Sequence, residues 1–288
     1  MSFYFLLLLV AGILSGQTQS APAEKPVTPR QEAWSVLKTG LADGNPDKRV
    51  RAVTAVSSIG LQIDAVSLVE KTLHDKDPVV RQTAAALLGE MNSRRSIPKL
   101  REALDDDDPA VSFTAAKSLW DMKDHSGRDL FEEVLLGQRK QSAGLVQGAM
   151  RDARARLRNP AGLAMMGVKD ASGAFFGPAA LGIDVAQEIM KDKGAPGRTL
   201  SVTLLSESCD SRGRELMEAV LDTDKNWGVR AATARALGRC GNTATVTLLD
   251  PLLYDSHDAV RMMAAASIVR LTEVRPVRRR ATAPNKKK

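Results

Sequence analysis

The 288-residue chain is 43% apolar and 26% charged, a composition typical of a folded protein rather than a disordered one. Its two cysteines are too few for a disulfide-framework domain, and they form no CxxC metal pair. The formal net charge of +7 is accounted for by residues 275–288, which carry seven basic side chains and no acidic one. The rest of the chain is therefore near neutral, which argues against a nucleic-acid-binding body.

An uninterrupted apolar run of twelve residues, Phe3 to Leu14, stands near the N-terminus. A bilayer-spanning helix needs roughly 20 such residues, so this length is typical of a signal-peptide core. Ala21-Pro22-Ala23 then fits an A-x-A cleavage site. Because no lysine or arginine precedes the run, an uncleaved N-terminal helix is the alternative. We expect residues 1–23 to be a signal peptide and the protein to be exported, either periplasmic or secreted.

Residues 24–46 are predicted as a linker and an N-terminal capping helix, and self-similar segments follow them. A typical segment begins with Asp or Asn, has Arg four residues later, and has Ala four residues after that. These features indicate a helix N-cap, sometimes followed by proline in the first turn, and a small residue at a helix contact. The Arg-equivalent positions recur every 30 to 32 residues within each half of the chain, at Arg51, Arg81, Ser112, Arg198, Arg230 and Arg261.

A second helix is predicted in each unit, because apolar residues recur there at spacings of three and four. Ile97, Leu100 and Leu104 are one such set. The first helix is expected to end at a left-handed glycine, namely Gly60, Gly89 or Gly238. Helix pairs of this kind bury their faces only by stacking. The sequence therefore predicts an all-α fold, a right-handed α-solenoid of stacked antiparallel helix pairs.

The segments Asp77–Gly89 and Asn226–Gly238 closely follow the pattern D-x-x-V-R-x-x-A-A-x-A-L-G. In this they resemble the HEAT-repeat family, specifically its short-unit, phycobilisome-lyase-like branch. The resemblance covers residues 47–136 (repeats 1–3) and 194–273, and it implies a HEAT-like fold while saying little about function. One HEAT-repeat enzyme class, the deoxyhypusine hydroxylases, binds two irons through His–Glu pairs, and this sequence has no such pair.

Residues 137–193 depart from the repeat and are predicted as an irregular, enlarged helix pair with a Gly-rich apolar loop. Helices are expected at 143–158 and 184–193. The alternative is an apolar hairpin centred on Phe175-Phe176 that inserts into a membrane or a partner groove. Residues 274–288 are predicted as a basic disordered tail, which is either simply solvated or attracted to an anionic partner.

The sequence contains no catalytic constellation. Its three histidines, His74, His125 and His257, fall in inter-repeat loops or near the ends of second helices, without the spacing of a metal site. There is no P-loop, nucleophile elbow or dinucleotide-binding fingerprint. We therefore predict no catalytic, cofactor-binding or metal-ligating residue, and no cofactor.

Two further sets of residues receive structural predictions. Cys209 and Cys240 occupy equivalent places in adjacent units, but helices pack about 8–10 Å apart and a disulfide needs Cα atoms within about 7 Å, so two buried thiols are favoured. The arginine series is predicted to pair with acidic caps one unit away, such as Asp77 or Asp108. The acidic run 105–108 is predicted as a solvated turn that ends in the Asp108 cap.

These features favour an exported, non-enzymatic scaffold that binds a protein partner. The residues expected to contact it are Phe175, Phe176, Arg154, Arg158, Arg278, Arg279 and Arg280. One alternative is peripheral binding to an anionic membrane surface through the basic tail and the apolar loop. A second is a lyase or oxidoreductase, suggested by family analogy alone. Nucleic acid is not an expected partner.

Overall fold

The computed structural model describes residues 27–135, 192 and 194–273. Within these ranges the chain forms twelve α-helices and no strand. Short 3₁₀ turns flank the fifth and eleventh helices. The helices are α1 (Pro29–Leu41), α2 (Pro46–Ser58), α3 (Ile63–Thr72), α4 (Pro78–Glu90), α5 (Ile97–Glu102), α6 (Pro109–Asp121), α7 (Arg128–Leu135), α8 (Ala195–Ser208), α9 (Ser211–Thr223), α10 (Trp227–Cys240), α11 (Val246–Leu249) and α12 (Asp258–Leu271).

The predicted helix starts are confirmed in the middle of each set of repeats. Asp77, Asp108 and Asn226 each accept a hydrogen bond from the backbone N–H two residues later, and Pro78 and Pro109 occupy the first turn. These caps satisfy N–H groups that have no partner inside the helix. The alanines predicted at helix contacts are all buried, and they are Ala55, Ala85, Ala116, Ala234 and Ala265.

In two units the predicted start was wrong. The first unit is capped by Asn45, which precedes Pro46, and not by Asp47. The last helix follows His257, and Asp258 is its first residue rather than its cap. In the first unit the sequence pattern was therefore placed two residues too late, because Asn45-Pro46 fulfils the same role as Asp77-Pro78.

The predicted helix ends were correct at one glycine and wrong at two. Gly60 has the expected positive φ, of 95°. Gly89 and Gly238 instead lie inside α4 and α10, against Ser118 and Ser267 of the next first helix in the stack. The two serine hydroxyls donate to the carbonyl oxygens of Ala85 and Ala234, at 2.9 and 2.8 Å. These glycines therefore permit a close helix approach rather than a turn.

Alanine at position 238 is expected to lower the free energy of unfolding by about 1–3 kcal/mol, because the new side chain overpacks this contact. Its Cβ would lie 2.7 Å from the Ser267 Cβ and 3.0 Å from the Ser267 Cα. Urea denaturation checks this. The matched control is Gly197→Ala in α8, where no neighbouring atom lies within 4 Å of the new Cβ. That change should be neutral or stabilising by up to about 1 kcal/mol, and equal losses in both variants would contradict the explanation.

The first helices of the units pack side by side in the order α8, α10, α12, α2, α4, α6. The C-terminal units thus stack directly on the N-terminal units. Helix α1 packs on both α12 and α2, as α3 packs on α2 and α4. It therefore supplies the second helix of the α12 unit, and the repeat is completed by segments more than 200 residues apart in the chain.

Several polar contacts fasten this junction. The Arg30 guanidinium of α1 donates to the Val269 carbonyl oxygen at 2.6 Å. Arg51 of α2 forms an ion pair with Asp258 at 2.8 Å. The Arg270 guanidinium donates to the carbonyl oxygens of Ser58 and Ile59, at 3.0 and 3.2 Å, at the end of α2.

The prediction of two free thiols was wrong, because Cys209 and Cys240 form a disulfide with a Cα–Cα distance of 5.0 Å. Cys209 does not continue α8. It follows the last turn with a φ of 52°, in the left-handed region. The chain there leaves the helix axis, so the interaxial distance between two helices does not set the separation of the two Cα atoms.

Replacing both cysteines by serine is expected to lower the free energy of unfolding by about 2–4 kcal/mol, since the disulfide closes a loop of 31 residues. Denaturation with and without a reductant checks this, and the double variant should not respond to the reductant. Two titratable thiols in the oxidised wild-type protein would contradict the disulfide.

Some predictions fall outside the described residues. They are the signal peptide, the enlarged helix pair with Phe175 and Phe176, the arginines at 154 and 158, and the basic tail. Among the described helices, none has the length and apolar character to cross a bilayer.

Candidate functional site

A ladder of arginine–aspartate pairs runs along the turns between units. Each arginine is held by an aspartate in the turn of the next unit, at distances of 2.6–2.9 Å, and most of these contacts are bidentate. The Nη1 atoms of Arg49, Arg81 and Arg230 also donate to carbonyl oxygens of the preceding turn. The ladder pairs are Arg49–Asp75, Arg81–Asp106, Arg198–Asp224 and Arg230–Asp255.

The prediction of ion pairs between units is confirmed at Arg81, Arg198 and Arg230. It was wrong at Arg261, which donates to the carbonyl oxygens of Asp255 and Ser256, and two further details were wrong. The partner is not the cap but the aspartate two residues before it, for example Asp75 before Asp77. That aspartate also accepts a hydrogen bond from the N–H of the cap residue. In the first unit the ladder arginine is Arg49, whereas Arg51 contacts Asp258 across the junction.

The electrostatics of the ladder indicate a structural role, because each charge is stabilised by its partner in the pair. Hydrogen bonds to their aspartates raise the pKa values of Arg49, Arg81 and Arg198. Burial raises the pKa of Asp75, but hydrogen bonds from Arg49 and from the Asp77 backbone outweigh it, so the pKa ends below its usual value. Charges matched in this way are satisfied within the protein and are not available to a ligand.

A second set of arginines behaves in the opposite way. We call Arg235, Arg239 and Arg270 the arginine cluster. Burial lowers the pKa of Arg235, and the neighbouring Arg239 and Arg270 lower it further. Burial and Arg239 likewise lower the pKa of Arg270. Glu90 acts against the shift at Arg235 and Glu273 acts against the shift at Arg270, and Glu273 also lines the cleft beside the cluster. The fold therefore crowds three like charges together and compensates them only in part.

Within the described part of the chain, Arg235 and Arg239 form no hydrogen bond and no ion pair. Arg235 is half-buried and Arg239 is exposed. Arg239 and Arg270 line an open cleft of about 620 Å³ between the end of α10, the end of α12 and the turn after α2. The cleft thus lies where the N-terminal and C-terminal units meet.

The cluster lies on the inner side of a curved stack. Glu90, the last residue of α4, and Arg235 of α10 shift each other's pKa, although α12 and α2 stand between their helices. Three helix steps along a straight stack would place α4 and α10 roughly 25 Å apart, and exposed charges that far apart are screened. The ends of α4 and α10 therefore lie closer together than they would in a straight stack.

Glu90 is an acidic residue whose charge acts on Arg235 of the arginine cluster. Its side chain is accessible to solvent, yet partial desolvation raises its pKa to about 7. The charges of Arg235 and Lys117 act against that rise. At neutral pH the carboxyl is therefore only partly ionised, and it offsets the charge of the cluster in part.

A Glu90→Gln variant is expected to gain stability relative to the wild type as the pH rises from 5 to 8. The folded-state pKa of Glu90, about 7, lies above the unfolded value of 4.5. Between these two values the unfolded state has lost its proton while the folded state keeps it, so the stability of the wild type falls across this window and levels off above about pH 7. Because the side chain is solvent-accessible, the gain should stay below about 1 kcal/mol. Urea midpoints at pH 5 and pH 8 measure it. An exposed control, Glu132→Gln, should show no comparable dependence on pH.

The three histidines that the sequence analysis considered as metal ligands are among the described residues. His74, His125 and His257 lie exposed in turns, as expected. His125 contacts the Trp120 ring, and His257 stacks on Trp227. No cluster of potential metal ligands occurs among the residues described. The residues predicted to contact a partner lie outside the described residues. The arginine cluster was not predicted from the sequence.

Comparisons with known proteins agree with this architecture. A family model described as HEAT repeats matches residues 34–119, 66–165 and 183–279. The comparison with curated proteins finds no match.

Two solved structures show a remote likeness. Human deoxyhypusine hydroxylase, in complex with glycerol, is 18% identical over 84% of this chain and 96% of its own, with a TM-score of 0.30. An engineered protein is 16% identical over 83% and 96% of the two chains, with a TM-score of 0.27. Likeness at these TM-scores carries no argument about activity.

The family model matches far more than half of the chain, and the described helices stack in pairs as the repeat requires. The short-unit, phycobilisome-lyase-like subtype is not distinguished by this match and stays a prediction. The chain belongs to the HEAT-repeat family.

Proposed function

We propose that this HEAT-repeat chain is an exported, non-enzymatic scaffold that binds a protein partner on its concave face. Stacked repeats create extended concave surfaces of the kind that such proteins use for binding. The single observation that carries the proposal is the arginine cluster, since the ladder arginines are matched by aspartates and these three are not. A surface that holds unmatched charge is suited to an external partner.

Two features support the proposed export. The N-terminal apolar run has the length of a signal-peptide core. The Cys209–Cys240 disulfide is a bond that persists in oxidising compartments and is rare in the cytosol. Mass spectrometry of the mature protein tests this part, because an intact Met1 end together with reduced thiols would contradict it.

The residues first expected at the interface, Phe175, Phe176, Arg154 and Arg158, stay proposed contacts. The three tail arginines, 278–280, support the alternative of peripheral attachment to an anionic membrane. Each basic residue near such a surface contributes about 1 kcal/mol. Deleting residues 275–288 separates the two functions, because it should abolish attachment to anionic vesicles and leave binding on the concave face.

Affinity capture of the tagged full-length protein from its native envelope fraction, with crosslinking and mass spectrometry, tests the proposal. The result expected is a partner crosslinked to α10 and α12 and lost from an Arg235→Glu/Arg239→Glu variant. The matched control is Arg128→Glu/Arg212→Glu, which makes the same charge change at exposed positions of second helices. Crosslinks that avoid the first helices, or equal losses in both variants, would overturn the proposed surface.

A further inference from the structure

One register position recurs on the first helices of the stack. Nine residues after the ladder position, the first helices carry, in stack order, an acidic residue, two arginines, a serine and two acidic residues. The serine is half-buried, Arg270 is half-buried, and the acidic residues are exposed. This row consists of Glu207, Arg239, Arg270, Ser58, Glu90 and Asp121.

The two arginines of the row stand next to each other on stacked helices, and a third extends the positive charge. Arg239 and Arg270 are separated by one helix step, about 8–10 Å. Arg235 precedes Arg239 by one helical turn and lies on the same face of α10. The positive charge is therefore concentrated at the centre of the row, beside the cleft that Arg239 and Arg270 line.

Helix-end electrostatics do not account for this arrangement. Basic residues in the last turn of a helix are favourable with the helix dipole, and Arg270 also donates to the carbonyl oxygens at the end of α2. Arg235, however, lies a full turn before the end of α10 and makes no polar contact within the described residues. Arg239 has no carbonyl or carboxylate partner there either.

We infer that the arginine cluster and its cleft dock an extended acidic segment of the partner protein, an inference that rests on the proposed function. Guanidinium groups bind carboxylates through two parallel hydrogen bonds. A segment in the extended polyproline II conformation rises about 3.1 Å per residue with three residues per turn. Carboxylates three residues apart therefore lie on the same face, about 9 Å apart, which matches the helix step of about 8–10 Å between Arg239 and Arg270. The segment therefore carries acidic residues at i and i+3, and Glu90 and Glu207 bound the site on either side.

Peptide binding to the full-length, disulfide-bonded protein tests the inference. The probes are three fluorescent twelve-residue peptides: one with glutamate at every third position among serine and glycine, one with the same glutamates adjacent, and one with glutamine in their place. Fluorescence anisotropy should show the spaced peptide binding at least about threefold more tightly than the clustered one. The glutamine peptide should not bind.

The Arg235→Glu/Arg239→Glu variant should lose at least about tenfold in affinity for the spaced peptide. The Arg128→Glu/Arg212→Glu control, with the same net charge, should lose less than twofold. Circular dichroism and the unfolding midpoint confirm that both variants fold. Equal losses in the two variants, equal affinity for the spaced and clustered peptides, or no binding at all would overturn the inference.

Failure of the inference is distinguishable from failure of the proposed function. If a partner crosslinks to the concave face but the protein does not bind the acidic peptides, the inferred acidic segment is wrong and the proposed scaffold function stands. If the protein binds the peptides but captures no partner from its envelope fraction, the scaffold function is wrong and the inferred ligand chemistry of the site stands. Cluster-dependent binding to phosphatidylserine vesicles in place of peptide would overturn the acidic segment.

Discussion

An Arg49→Ala variant is expected to lose about 3–5 kcal/mol of unfolding free energy, because it removes one partner of a buried ion pair. Only 5% of the Arg49 side chain and 12% of the Asp75 side chain are exposed. The variant leaves the Asp75 carboxylate buried without its guanidinium, and the carbonyl oxygens of Asp43 and Gly44 lose their donor. The change therefore breaks the link between the turns that precede α2 and α4.

The loss should depend on pH in a defined direction. The folded-state pKa of Asp75 lies below its unfolded value, so the pair contributes its full stability above the unfolded pKa, near 4. That contribution disappears as the pH falls through the folded-state pKa. The difference between wild type and variant is therefore expected to be full at pH 7 and to shrink below about pH 4. Urea denaturation at pH 7 and pH 3 measures it.

The control for this variant is Arg128→Ala. Arg128 pairs with Glu132 on the surface of α7, and 69% of its side chain is exposed. Exposed pairs of this kind contribute about 0–1 kcal/mol. If both variants lose the same amount, or if the loss at Arg49 does not change with pH, the ladder is not the buried, coupled structure described above.

The ladder could be predicted from the sequence only in part. The recurring arginine and its capping residue are local features, so the repeat, the existence of ion pairs and the helix starts at Asp77, Asp108 and Asn226 were predicted correctly. The identity of the acidic partner was not, because Asp75 and Asp77 both lie close to the next helix start. The deciding fact is that Asp77 turns back to cap α4 while Asp75 also receives the Arg49 guanidinium.

The arginine cluster could not be found from the sequence without the order of the stack. Arg239 and Arg270 are both nine residues past a repeat arginine, Arg230 and Arg261, and this spacing is visible in the sequence. What the sequence hides is that α12 lies beside α2, and that Glu90 and Arg235 approach each other across a concave face. Periodicity shows which face of a helix is buried, but not which helix covers it.

One feature of the sequence indicates the order in which the helices stack, namely a predicted helix that precedes the first repeat. Among the described helices, α1 precedes the first predicted repeat and α12 is the last. A helix that precedes the first repeat can serve as the second helix of the last one, and this is the arrangement observed.

A Leu37→Ala variant in α1 is expected to lose about 3–5 kcal/mol of unfolding free energy, since Leu37 is fully buried. Because α1 is the second helix of the α12 unit, the loss should also open α12, which lies more than 200 residues away in the chain. Amide hydrogen exchange measures this, with the largest loss of protection expected in residues 29–41 and 258–271. The exposed Lys38→Ala change in the same helix is the control and should leave α12 protected.

The alternative is that α1 merely caps α2, as the sequence order suggests. In that case Leu37→Ala would expose the amides of α1 and α2 and leave those of α12 unchanged. The contacts argue against it, since Arg30 of α1 donates to the Val269 carbonyl oxygen and Glu32 accepts a hydrogen bond from Tyr254. Helices α1 and α12 thus hold the two sets of repeats together, and the cleft with Arg239 and Arg270 lies where these sets meet. A variant that opens this junction should therefore also weaken the binding of acidic peptides.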